Sequence, residues 1–184
     1  MTEKKSLSRT LLLYCFILLS VPITVLSQDT EPVEASNIKL VSAAREIMNA
    51  AGTCALITLD EEGRPRVRTM DPFKPDGDFT VWFGTNSKSR KVHQIKQDPR
   101  VTLYYLDSDA SGYVMIHGTA QLVDDQKEKE IYWKSQWEAF YPDKEDYLLI
   151  KVAPIWMEVS STTRGITGDT ITWQPPAVIF HSSE

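Results

Sequence analysis

Thr85-Asn86-Ser87-Lys88-Ser89-Arg90-Lys91-Val92-His93-Gln94-Ile95 is the stretch around which the rest of the chain can be read. Phe79 to Phe83, just before it, reads as a strand, and Gly84 to Ser87 as a tight loop. Ser87 or Ser89 can then cap a short helix reaching about Gln97, where Asp98-Pro99 stops it. At such a strand-to-helix corner, free backbone N–H groups and the helix dipole attract an anion. Thr85 and Ser89 offer hydroxyls there. Arg90 and Lys91 offer charge-assisted hydrogen bonds worth roughly 1.5–3 kcal/mol each. Basic residues at a helix start oppose the dipole and cost stability unless an anion compensates.

A second basic stretch runs Arg64, Arg66, Arg68, Thr69. Residues two apart share one face of a strand, so the arginines line one side. At this point a solvated face fits both stretches as well as a phosphate site does.

Outward from these stretches the elements follow one another closely. Asn37 to Ala51 has apolar residues at helical spacing and ends at Gly52. Thr53 to Leu59 and Arg64 to Met70 are strands joined by the hairpin turn Asp60-Glu61-Glu62-Gly63. Arg100 to Leu106 and Tyr113 to Val123 are two more strands. Gln126 to Phe140 reads as an amphipathic helix. Tyr147 to Ser160 is a long last strand, bent or bulged near Pro154. The remainder reads as a tail with little regular structure. Short turns imply antiparallel pairing, and six strands with one buried face must hide their edges. The expectation is a mainly β domain with flanking helices (α+β): a six-stranded antiparallel Greek-key barrel.

The whole chain carries a net charge of −5. Its basic residues before position 28 (Lys4, Lys5, Arg9) leave the remainder more acidic still. That argues against non-specific nucleic-acid binding, which needs a basic face. Residues 1–27 combine this basic start with an apolar run and small residues at Val25 and Ser27, the pattern of a cleaved signal peptide. The expectation is export to a periplasmic or extracellular compartment, with no membrane attachment after cleavage. Residues 28–36 read as a disordered acidic linker, 37–161 as the domain and 162–184 as a tail packed on the barrel. Outside the leader only Cys54 remains, among apolar neighbours, and it reads as a buried small residue. No CxxC or HExxH spacing suggests a metal.

At the two basic stretches the sequence resembles the pyridoxamine 5′-phosphate oxidase-like, FMN-binding split-barrel superfamily. The resemblance rests on TNSKSRKVHQI (85–95), RPRVRTM (64–70), DPRVTLYYL and GYVMIHGTAQLV. The general stress protein branch fits best, through Asp146 to Val152 and the Gly168 to Pro176 segment. The resemblance implies a split barrel, FMN as cofactor and a homodimer with FMN at the interface. By the same resemblance Arg66, Val67, Arg68 and Thr69 contact the flavin, its ribityl chain or its phosphate. Gly84 and Thr85 approach the flavin, Arg90 and Lys91 hold the phosphate, and Tyr113 reaches it from the second subunit. The Arg-x-His substrate element of true pyridoxamine phosphate oxidases is missing, since Ile179 precedes His181 by two residues.

Two functions share that site: an FMN-dependent oxidoreductase acting on a small molecule with an unidentified electron donor, and a flavin-binding stress protein acting as scavenger or carrier. A third reading is haem ligation by His93 or His117.

Overall fold

The computed structural model describes residues 33–180, so the leader and His181 lie outside the described residues. Helix α1 (Val33–Ala51) begins inside the stretch expected to be a linker. It buries Leu40, Ala43, Ala44, Ile47 and Met48 along one stripe. Strands β1 (Cys54–Leu59) and β2 (Pro65–Met70) form the expected hairpin. Strand β3 (Val81–Asn86) continues through the segment read as a loop. The reason is pairing: Gly84, Thr85 and Asn86 bond opposite Leu149, Leu148 and Tyr147, and the turn comes only at Ser87–Ser89. Helix α2 (Arg90–Gln97) then leads to β4 (Arg100–Leu106) and β5 (Gly112–Val123).

The expected long helix is cut short. Helix α3 is only Gln126–Ile131, followed by a 3-10 turn at Ser135–Trp137. The Tyr147 hydroxyl donates to the Tyr132 carbonyl, which a continuing helix would have used for its own ladder. The aromatic residues beyond it turn instead onto the sheet. Strand β6 (Tyr147–Ser161) is the long last strand, and the tail adds a seventh, β7 (Ala177–Ile179). The two fit together because β6 pairs β3 through Val152 and β7 from Trp156, leaving Pro154 between the two partners. Pro154, with no N–H to donate, sits beside the bulge, where Gly118 is opposite Pro154 but His117 is opposite Trp156.

The sheet is antiparallel in the order β2-β1-β4-β5-β6-β3, with β7 also on β6. Alternate inward residues, including Leu56, Phe83, Leu103, Ile116, Ile150 and Met157, are fully buried. Each contributes roughly 1.5–3 kcal/mol through removal from water. Strands β2 and β3 are the ends of the order, and the chain just after β2 meets β3 at the bridge Pro72–Phe83. The barrel is therefore split, and past the bridge each strand has one unpaired edge. A second apolar layer covers β3 and β6 from outside: Trp82, Tyr147 and Leu149 pack with Phe73, Tyr132, Trp133, Trp137 and Tyr141.

Cys54 is buried, and burial pushes its thiol up to about 12, which makes it an inert core residue. Among the described residues no helix is long and apolar enough to cross a membrane, and no group of three His, Cys, Asp or Glu could hold a metal.

Arg164, after β6, ties three parts together. It contacts the buried Asp107 carboxylate and, at 3.2 Å, Glu46 of α1. Removing one partner of a fully buried pair costs roughly 3–5 kcal/mol. Because Arg164 is partly exposed, Arg164→Met should lower unfolding stability by about 2–3 kcal/mol, read as a lower urea midpoint at unchanged slope.

Candidate functional site

The site forms where the split opens. Its base is α2, whose Ser89 N-cap makes no side-chain capping bond and whose first turn holds no acidic residue. The first N–H groups of a helix have no partner within it. The Ser89 hydroxyl lies instead 3.2 Å from the Thr85 hydroxyl, and Lys91 Nζ donates to Thr85 at 3.0 Å. Thr85 is buried at the end of β3, so the cluster is anchored to the sheet.

Arg68 enters from the opposite side. Its guanidinium donates to the Leu56 carbonyl (3.2 Å), the Thr58 hydroxyl (2.7 Å) and Gln94 Oε1 (2.9 Å). Thr58 also donates to Gln94 Oε1, at 2.6 Å. Gln94 is buried on the inner face of α2 and aims Arg68 toward Arg90 and Lys91. Sequence reading missed Thr58 and Gln94 as positioning residues, because their roles exist only once α2 crosses β1.

Three cations thus converge without an ion pair. Among the described residues, none of Arg68, Arg90 and Lys91 has a carboxylate within ion-pair distance, and Arg90 makes no hydrogen bond. Burial first, and then the charge of Arg90, lowers the Arg68 pKa. Burial first, and then the charge of Arg68, lowers that of Lys91.

Arg64 and Arg66, unlike these three, are ion-paired. The Asp60 carboxylate of the β1–β2 turn takes both, Arg64 at 3.0 Å and Arg66 at 2.8 Å. The three arginines alternate on one strand: Arg68 reaches Gln94 of α2, while Arg64 and Arg66 line a second cavity, of about 380 Å³, with Ser89, Arg90 and Gln94. Val67 is exposed on the outer face. Tyr113, also outside, stacks on Tyr104 and donates to Glu158 at 2.6 Å, so within one chain it is not brought to the cluster. Burial, then the Glu158 contact, pushes Tyr113 up to about 12.

The gap between the free edges of β2 and β3 is a cavity of about 370 Å³. Thr69, Met70 and Asp71 line one side, and Gly84, Thr85, Asn86 and Lys91 the other. Trp137, Phe140 and Tyr141 close the third side. Gly84 is required here, since a Cβ would collide with the Trp137 and Tyr147 rings. His93 lies outside the cavity against Glu61 (3.1 Å). His117 is on the outer sheet face, stacked on Trp156 with Nδ1 2.9 Å from the Thr102 hydroxyl.

A family model described as "Pyridoxamine 5′-phosphate oxidase like" matches residues 39–167. The chain belongs to this family. Among curated relatives of this oxidase-like chain is the pyridoxine/pyridoxamine 5′-phosphate oxidase of Vibrio atlanticus, 30% identical over 91 residues. That match covers 50% of the chain and 43% of the relative, so the chain spans less than half the length of that oxidase. Among solved structures, the fold resembles general stress protein 26 of Bacillus anthracis (TM-score 0.61, 20% identity, 78% of this chain and 99% of that one). It also resembles a related protein of Clostridium acetobutylicum (TM-score 0.62, 23% identity, 78% and 94%).

Gln94→Leu removes the acceptor shared by Thr58 and Arg68. Leaving buried donors unpaired costs about 1–3 kcal/mol, so thermal unfolding should move to lower temperature, and soluble phosphate should rescue less of that loss than in the parent chain.

Proposed function

We propose that the chain binds FMN and serves as an FMN-dependent oxidoreductase for a small molecule. The observation that carries this reading is the uncompensated triad of Arg68, Arg90 and Lys91 at the start of α2. A phosphate monoester fits that donor set: three cations, the Thr85 and Ser89 hydroxyls and free helix N–H groups. The ring then lies in the cavity along the free edges of β2 and β3. There, backbone groups of Thr69 and of Gly84 and Thr85 suit the donors and acceptors of its pyrimidine edge. Bound FMN supplies reversible one- and two-electron redox chemistry, which the protein positions and tunes. Within the cavity, Lys91 and Asp71 are the charged residues and no histidine is present. This chain's part is to hold, orient and shield the ring. The second reading is a flavin-binding stress protein without dedicated turnover, a scavenger or carrier.

The reading extends to assembly and location. The outer face of the sheet exposes Val67, Leu106, Ile155 and Ile179 beside Tyr104 and Tyr113. An apolar face of this kind suits a second copy of the chain, which would bring Tyr113 toward the partner's cofactor. The leader-like residues 1–27 support work in an exported compartment.

An absorbance spectrum of the purified full chain tests the cofactor, with oxidised-flavin bands expected after incubation with FMN. The Arg90→Ala, Lys91→Ala double variant should bind FMN about a hundredfold more weakly or worse, two charge-assisted bonds being lost. A colourless protein that ignores added FMN ends the reading. Steady reoxidation of a nicotinamide donor separates enzyme from carrier.

Affinity should also depend on pH. Phosphate binds the ammonium form of Lys91, whose pKa lies below the ordinary 10.5. Affinity is therefore full below that lowered value and is lost as the pH rises through it. FMN fluorescence titrations should show weakening that begins at lower pH than an ordinary lysine would give.

A further inference from the structure

The aromatic side of the cavity has no role in holding a phosphate, and its composition points to a second ligand. Trp137 is fixed edge-on against Phe73 (5.6 Å) and over Gly84, so its ring is a rigid wall. Phe140 stands at the same opening with 74% of its surface exposed, and Tyr141 packs beside Trp137 (6.3 Å). An exposed phenylalanine next to a preformed cavity leaves apolar surface in water that a ligand could cover.

Charge decides which ligand. The charged residues lining the cavity are Lys91 and Asp71. Lys91 belongs to the phosphate cluster. Asp71 is neutralised by Lys134 at 2.6 Å, and Lys134 also lies over the Phe73 and Trp137 rings at 4.8 and 5.1 Å. Once a phosphate occupies Arg68, Arg90 and Lys91, the aromatic side has no net charge and no unpaired cation. A second phosphate there would find no free cation to pair with.

We propose that Trp137, Phe140 and Tyr141, with the Asp71–Lys134 pair at the rim, bind an uncharged planar aromatic molecule and turn away phosphorylated ones. This rests on the FMN reading and names the substrate class of that same site. Stacking against aromatic walls favours flat rings, and the neutral rim imposes no cost for lacking a charge.

The test uses the FMN-loaded full chain, with menadione as the uncharged bicyclic probe and pyridoxine 5′-phosphate as the anionic one. Each is titrated while the bound-flavin difference spectrum is recorded. Menadione should give a saturable change, and pyridoxine 5′-phosphate none at equal concentration. Phe140→Ala should weaken menadione about tenfold, and Asp71→Lys should admit pyridoxine 5′-phosphate. Phe140 is exposed, so its removal spares the fold. Equal or tighter binding of pyridoxine 5′-phosphate by the parent chain overturns the proposal, as does unchanged menadione binding in Phe140→Ala. A Phe140→Ala protein that loses its FMN overturns it too, because the residue would then hold the cofactor. A parent chain that takes no FMN fails at the earlier step and brings both readings down together.

Discussion

Like charges held together inside a fold need a reason, and Arg68, Arg90 and Lys91 supply the constraint on which this structure turns. Two of the three are partly buried, and each lowers or is lowered by its neighbour. Several other basic residues are paired with acids. Asp60 takes Arg64 and Arg66, Asp98 takes Arg100, Asp146 takes Lys88, and Asp107 and Glu46 take Arg164. An acidic chain that leaves these three unpaired keeps a cost in the free protein that an anion removes on binding.

The barrel exists in a form that makes this arrangement possible. Closing β2 fully onto β3 would fill the gap with hydrogen bonds; stopping at the Pro72–Phe83 bridge leaves two strand edges facing a cavity. Helix α2 seals the barrel beneath with Val92 and Ile95 while presenting Arg90 and Lys91 above. Gln94, buried between the two, links the apolar plug to the charged surface through Arg68. One short helix thus couples core packing to ligand geometry, so its register cannot shift without loss on both sides.

Much of this was legible in the chain. Thr85, Ser89, Arg90 and Lys91 act through a strand end and a helix start only a few residues apart, and such local patterns survive into structure. Short turns gave the antiparallel hairpins β1–β2 and β4–β5, but not the pairings β1–β4 and β3–β6. Other parts depended on distant contacts. The alternation of Arg64, Arg66 and Arg68 gave a shared face but not the Asp60 carboxylate that pairs with two of them. Apolar spacing over Gln126 to Phe140 resembled a helix, yet the rings of Tyr132, Trp133 and Trp137 gain more by packing on Tyr147 and Trp82. The strand Ala177–Ile179 has no signal of its own, because it exists to continue the edge of β6 beyond β3. For the same reason Trp137, Phe140 and Tyr141 did not announce themselves as a cavity wall.

Comparing FMN with riboflavin, which differs only by the phosphate, isolates what the three cations contribute. Calorimetric titration of the full chain should give an affinity for FMN at least a hundredfold above that for riboflavin. Equal affinities for the two would mean that the cluster grips no phosphate, and the account of this site would be wrong.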